Sequence, residues 1–129
     1  MKLMKGCAVI AAALALGSVA PAEAASRTPF AVSIPGGTVA GSIVWNPRTA
    51  TVDAVLTGHR QDRWTTAFIL AYSGDVQVGA WTQGVLDRPE RFSAELGDPD
   101  LVDRVTAQVC VPVGKTRERC SAVKELHRR

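Results

Sequence analysis

From residue 28 onward, apolar and polar side chains alternate with a period of two, and Gly, Pro, Asn or Asp interrupts the pattern about every 8 to 12 residues. Such a chain has short strands with one apolar face each, and little room for a helix. In "TPFAVSI", Phe30, Val32 and Ile34 share a face, and "PGG" at 35–37 ends the run. Val39, Gly41, Ile43 and Trp45 form the inner set of "TVAGSIVW"; after the "NPR" turn, Val52, Ala54 and Leu56 form that of "TVDAVLTG". These two runs read as a hairpin.

In "WTTAFILAY", both Trp64, Thr66, Phe68, Leu70, Tyr72 and the alternate set Thr65, Ala67, Ile69, Ala71 are fairly apolar. A strand of this kind is expected to be central and covered on most of both faces. "SGD" joins it to "VQVGAWTQG" as a second hairpin. "RFSAEL" then presents Phe92, Ala94 and Leu96 inward, and "DRVTAQVCVPV" presents Val105, Ala107, Val109, Val111 and Val113. The tail "CSAVKELHRR" reads either as a helical turn or as the last strand. The expected fold is all-β, an antiparallel β-sandwich of seven or eight short strands, with a small β-barrel as the alternative.

The first residues bear on compartment. Lys2 and Lys5 precede an apolar run from Cys7 to about Leu16, followed by Gly17, Pro21 and the triplet Ala22-Glu23-Ala24. A basic start, a short apolar stretch and an A-x-A triplet describe a cleaved secretory leader, residues 1–24, ahead of a single domain at 25–129. An uncleaved anchor is the competing reading, but a spanning helix needs about 20 apolar residues and this run is shorter. Without the leader, Cys110 and Cys120 are the remaining cysteines, and in an oxidising compartment the pair reads as one disulfide. Their spacing suits neither a zinc knuckle nor a C-x-x-C redox motif, so no metal site and no cofactor is expected.

Charge argues against nucleic acid as a partner. From residue 25 the chain holds thirteen Lys and Arg against eleven Asp and Glu, a balance too mild for a phosphate-binding surface. The excess is concentrated late, with six basic and two acidic side chains at 115–129. A solvated tail is the plain reading, and an anionic cell-surface component or an extracellular protein is the partner such a tail would suit. No membrane association is expected once the leader is gone.

"VCVPVGKTRERC" sets the sharpest question. Pairing Cys110 with Cys120 across an antiparallel ladder also pairs Val111 with Arg119, Pro112 with Glu118 and Val113 with Arg117, leaving Gly114-Lys115-Thr116 as the loop. Cys110 then lies on the outer face, with Arg104, Thr106, Gln108 and Pro112. Closing a loop of about eleven residues stabilises the fold by about 2.8 kcal/mol in the chain-entropy model, reason enough for the two cysteines. Pro112, which donates no backbone hydrogen bond, marks the hairpin as an edge. The functional alternative is a preorganised recognition loop bearing Lys115, Arg117 and Arg119, used at 111–119 as an inhibitor uses its loop in a protease.

Other candidates are weaker. His59 with Asp62 makes a surface pair at most, since no nucleophile motif accompanies it, and no catalytic residue is assigned. A small hydrolase is therefore the last alternative. Asp98, Asp100 and Asp103 suit calcium by type but lack the ligand run of a calcium loop. A glycosidase pair drawn from Asp87, Glu90 and Glu95 needs two carboxylates facing one cleft. By parity Trp45 and Trp64 face inward and Trp81 outward, which leaves Trp81 as the surface candidate.

The leader, "GSIVW" with its turn, and "DRVTAQVCVPV" ahead of one more cysteine together resemble small secreted actinobacterial all-β proteins of largely uncharacterised function. The resemblance implies a β-sandwich outside the cell and transfers no catalytic residue. An extracellular, non-enzymatic binding or structural module is the expected function.

Overall fold

The computed structural model describes residues 26–97 and 101–129, with no helix among them. The expected leader, and Asp98 and Asp100 of the acidic loop, lie outside the described residues. Nine strands follow in chain order: β1 (Ser26–Ile34), β2 (Gly37–Trp45), β3 (Ala50–Gly58), β4 (Thr65–Ser73), β5 (Val76–Val85), β6 (Pro89–Leu96), β7 (Arg104–Pro112), β8 (Glu118–Cys120) and β9 (Lys124–His127). One sheet has the order β1-β2-β3-β6. The other runs β9-β7-β4-β5, with β8 on the same side of β7 as β9. All pairings are antiparallel, and the two sheets pack as a sandwich with no closed barrel.

Both expected hairpins form, β2–β3 and β4–β5. A third, β1–β2, closes on Pro35-Gly36, where Gly36 has φ +100°, the left-handed conformation that a type II turn requires at its second central residue. Gly74, with φ +61° at the first central position, turns β4 into β5.

The inner faces follow the alternation. Val39, Ile43, Val52, Leu56, Ile69, Val105 and Val109 are fully buried, and each such side chain contributes about 1.5 to 3 kcal/mol on leaving water. Across the four-stranded sheet, Phe30, Gly41, Ala54 and Phe92 pair in one row, so two rings from the edge strands flank two small central residues. A Cβ on Gly41 would fall on the Asp53 carbonyl oxygen and the Ala54 Cα, which reserves that position for glycine.

Several expectations need correction. Trp64 is outward, 56% exposed, and shares its side with Thr66, Phe68, Leu70 and Tyr72. The buried set of β4 is the smaller one, Thr65, Ala67, Ile69 and Ala71, because the opposing sheet already supplies the bulky side chains. β4 is central but not covered on both faces. Its outer neighbours on β5 are Ala80, Thr82 and Gly84, too small to shield Phe68 and Leu70. β7 is the strand buried on both faces, with outer Thr106 and Cys110 buried alongside inner Val105, Ala107, Val109 and Val111. Val113, expected inside, is 41% exposed beyond the end of the strand. Trp81 is 38% exposed, yet it pairs with buried Ile69 and so belongs to the inner side of β5, at the open margin of the sandwich.

The hairpin does lie at an edge of its sheet, although Pro112 stands on the inner of its two strands. β7 has β4 on one side and β8 and β9 on the other, and the ladder to β4 ends at Thr66–Cys110, two residues before the proline. The edge is β8 and β9, one strand interrupted at Ser121, whose backbone N–H donates to Val109 O at 2.9 Å and whose hydroxyl accepts from Val109 N–H at 3.1 Å.

The basic tail is partly structural. Arg128 donates through Nε to Val102 O (2.7 Å), through Nη1 to Asn46 O (2.6 Å) and through Nη2 to Thr49 O (3.2 Å), and its guanidinium lies 5.3 Å from the centre of a Trp45 ring. One side chain thus ties the β2–β3 turn to the connection that carries the chain from β6 into β7. Burial pushes the Arg128 pKa down, and Asp103 pushes it back up. Every buried side-chain nitrogen and oxygen among the described residues has a hydrogen-bond partner.

Candidate functional site

The disulfide hairpin has the expected register. Cys110 is bonded to Cys120, Val111 pairs with Arg119 and Pro112 with Glu118, and Val113 N–H donates to Arg117 O at 3.0 Å. Cys110 pairs with outer Thr66, so the bridge lies on the outer face of its own sheet and does not join the two sheets. A small disulfide-bonded β domain is compatible with an extracellular protein.

Beside this hairpin the outer face opens into a groove of about 440 Å³ lined by Asp62, Arg63, Trp64, Pro112, Gly114 and Lys115. Each wall has a local cause. Trp64 precedes β4 and packs over Gly84 of β5, where an added Cβ would lie 3.2 Å from the indole Cε3. Arg63 is held in place: its Nη1 donates to Pro112 O at 3.1 Å, and its Nε is 3.5 Å from Asp62 Oδ2. That bond also occupies the carbonyl of a residue beyond the end of the β4 ladder. Lys115 comes from the tip of the hairpin, so the two cysteines that close the loop also bring Lys115 to the groove that Trp64 lines.

The three loop cations stand in different surroundings. Lys115 lines the groove, whereas Arg117 and Arg119 do not, and both are exposed. Arg119 pairs with inner Val111, the parity opposite to the outer face on which Pro112 and Trp64 lie. Sequence reasoning missed Trp64 and Arg63, which a more even weighing of the two faces of β4 would have brought forward.

A second concavity, about 330 Å³, continues along the same outer face between Phe68, Leu70 and Tyr72 of β4 and Arg104, Thr106 and Gln108 of β7. Arg104 closes one end, its guanidinium 4.0 Å from the centre of the Tyr72 ring and 4.0 Å from Glu125 Oε2. Apolar rings and fixed cations therefore recur along the length of one sheet face.

The remaining candidates do not assemble. Asp62 is engaged by Arg60 (3.9 Å) and Arg63 (3.5 Å) rather than by His59, whose backbone N–H donates to Gly36 O. Glu90 and Glu95 stand at opposite parities of β6. Glu90 pairs with Arg88 at 3.3 Å, and Glu95 accepts from Thr49 Oγ1 at 2.6 Å. Asp103 accepts the Gly74 N–H, which ties the start of β7 to the β4–β5 turn, and Asp98 and Asp100 lie outside the described residues. Cys110, Glu118 and Cys120 come within metal-ligand reach of one another, but both sulfurs are consumed by the disulfide, and the thiolate is the metal-binding form. No family model matches the chain, and neither a curated protein nor a solved structure matches it significantly.

Proposed function

We propose that the protein is exported by the leader at 1–24 and acts outside the cell as a non-catalytic binding module whose groove takes acidic carbohydrate of a cell surface. The observation that carries this reading is a groove on the outer sheet face lined by both the half-exposed Trp64 and Lys115. An indole offers a flat apolar plate for the C–H face of a sugar ring, and ammonium and guanidinium groups at its rim suit the carboxylates of uronic acids. Arg63 is already fixed by Pro112 and Asp62, which lowers the ordering cost of binding.

The test is titration of the protein with an oligogalacturonate and, as control, a neutral galactose oligomer, followed by tryptophan fluorescence. Trp64→Ala abolishes binding of the acidic oligomer. Lys115→Ala weakens it about tenfold, equivalent to about 1.4 kcal/mol, and flattens its salt dependence. Equal binding of both oligomers, or unchanged affinity in Trp64→Ala, defeats the reading. A second reading, a protease-inhibiting loop, draws on the exposure of every residue from Val113 to Cys120. In that case inhibition is lost with Arg117→Ala while oligogalacturonate binding is absent.

A further inference from the structure

The sandwich has four sheet edges among the described residues, and three carry the devices that keep strands from pairing with other chains. β1 bears Arg27 and Pro29. β6 bears Pro89, Glu90, Arg91 and Glu95. The β8 and β9 edge bears Glu118, Arg119, Lys124, Glu125 and His127. The fourth, β5, reads "VQVGAWTQGV", with neither a charge nor a proline in its ten residues. A bulge opposite Ala71/Tyr72 interrupts its first part, leaving the stretch from Gly79 to Val85 in regular register with β4.

Hydrogen bonds elsewhere establish which backbone groups of β5 are free. Val109 exchanges bonds with Ser121 and Val113 N–H donates to Arg117 O, so the odd residues of β7 point away from β4. Cys110 and its partner Thr66 therefore face each other, and Thr65, Ala67 and Ile69 face β5, where they meet Val85, Gln83 and Trp81. The N–H and C=O groups of Ala80, Thr82 and Gly84 are left on the open side. The Gly84 carbonyl has a weak substitute partner, the Gln83 side-chain amide at 3.4 Å.

We propose that β5 pairs antiparallel with β5 of a second copy of this chain across a twofold axis at Thr82, joining two five-stranded sheets into one. In that register Thr82 faces Thr82 of the partner, and Ala80 faces its Gly84. Every free N–H then meets a carbonyl. The side chains at these positions are small and leave the approach open. Trp81 comes to lie opposite the partner's Gln83 on the inner side, which covers an indole now partly in water. Self-pairing suits this edge because a neutral strand sets no like charges opposite one another, and an isologous contact needs nothing beyond a self-complementary strip. The occupant is a second copy rather than a foreign strand because the edge carries no charge by which to select one.

The test uses protein recovered from expression of the full chain, with mass measured by sedimentation equilibrium at about 1 mM, high enough to reveal a weak association. Wild type is expected at twice the single-chain mass. Thr82→Lys alone and Thr82→Glu alone are each expected at the single-chain mass with unchanged far-UV circular dichroism. An equimolar mixture of the two is expected to return to the double mass, since only this register sets Lys against Glu. A single-chain mass for wild type overturns the proposal. So does a double mass that survives Thr82→Lys, or a mixture that fails to reassociate.

Discussion

At the scale of the residue, Arg128 shows how a charged tail can serve the fold. Its guanidinium reaches three carbonyls, one of which, Thr49 O, also accepts the Asn46 N–H, and it lies against Trp45, whose Nε1–H is itself donated to Thr28 Oγ1 at 2.9 Å. Arg128→Ala removes charge-assisted bonds and leaves the Val102 and Asn46 carbonyls without their guanidinium donor, while Thr49 O keeps the Asn46 N–H, and the expected cost is about 2 kcal/mol. Arg128→Lys restores only part of this, because a compact ammonium cannot span three acceptors that a planar fork reaches together. Urea unfolding midpoints of the three proteins at neutral pH provide the check. Composition alone gave no sign of this role, since "HRR" looks the same whether it is solvated or clamped.

At the scale of the element, the strands and most of their faces were legible from the alternation, because a half-buried strand leaves a period-two record in its side chains. β4 is the exception, and its reason is physical. When both faces of a strand are apolar, periodicity fixes the two sets but not which of them points inward. The choice falls to the opposing sheet, whose Val39, Ile43, Val52 and Leu56 leave space for Ala67 and Ala71 and not for Trp64 and Tyr72. The groove is hidden by the same ambiguity, since parity alone places its indole in the core. The hairpin of β7 and β8, in contrast, was readable to the residue, because the pairing of two cysteines fixes the register of everything between them. Reduction of Cys110–Cys120 is expected to destabilise the protein by about 2.8 kcal/mol, read from denaturant unfolding of oxidised and reduced samples.

At the scale of the whole molecule, the connections cross between the sheets at 59–64, 86–88 and 97–103, while hairpins keep β1 to β3 in one sheet and β4 with β5 in the other. The outer face of the five-stranded sheet carries Trp64, Phe68 and Tyr72, and its β5 margin collects the uncharged backbone. These two features adjoin at Gly84, over which Trp64 packs. The bridge at Cys110–Cys120 also has a mechanical meaning. A pull applied at the chain end must first break the Arg128 bonds and then peels β9 from β7, until the load arrives at Cys120. There it passes through a covalent bond into β7, the strand with neighbours on both sides and burial on both faces. Tension on the tail is thus borne by the strongest-held strand of the sandwich rather than by its margin, and the hairpin beyond the bridge, with Lys115 at its tip, stays out of the line of force.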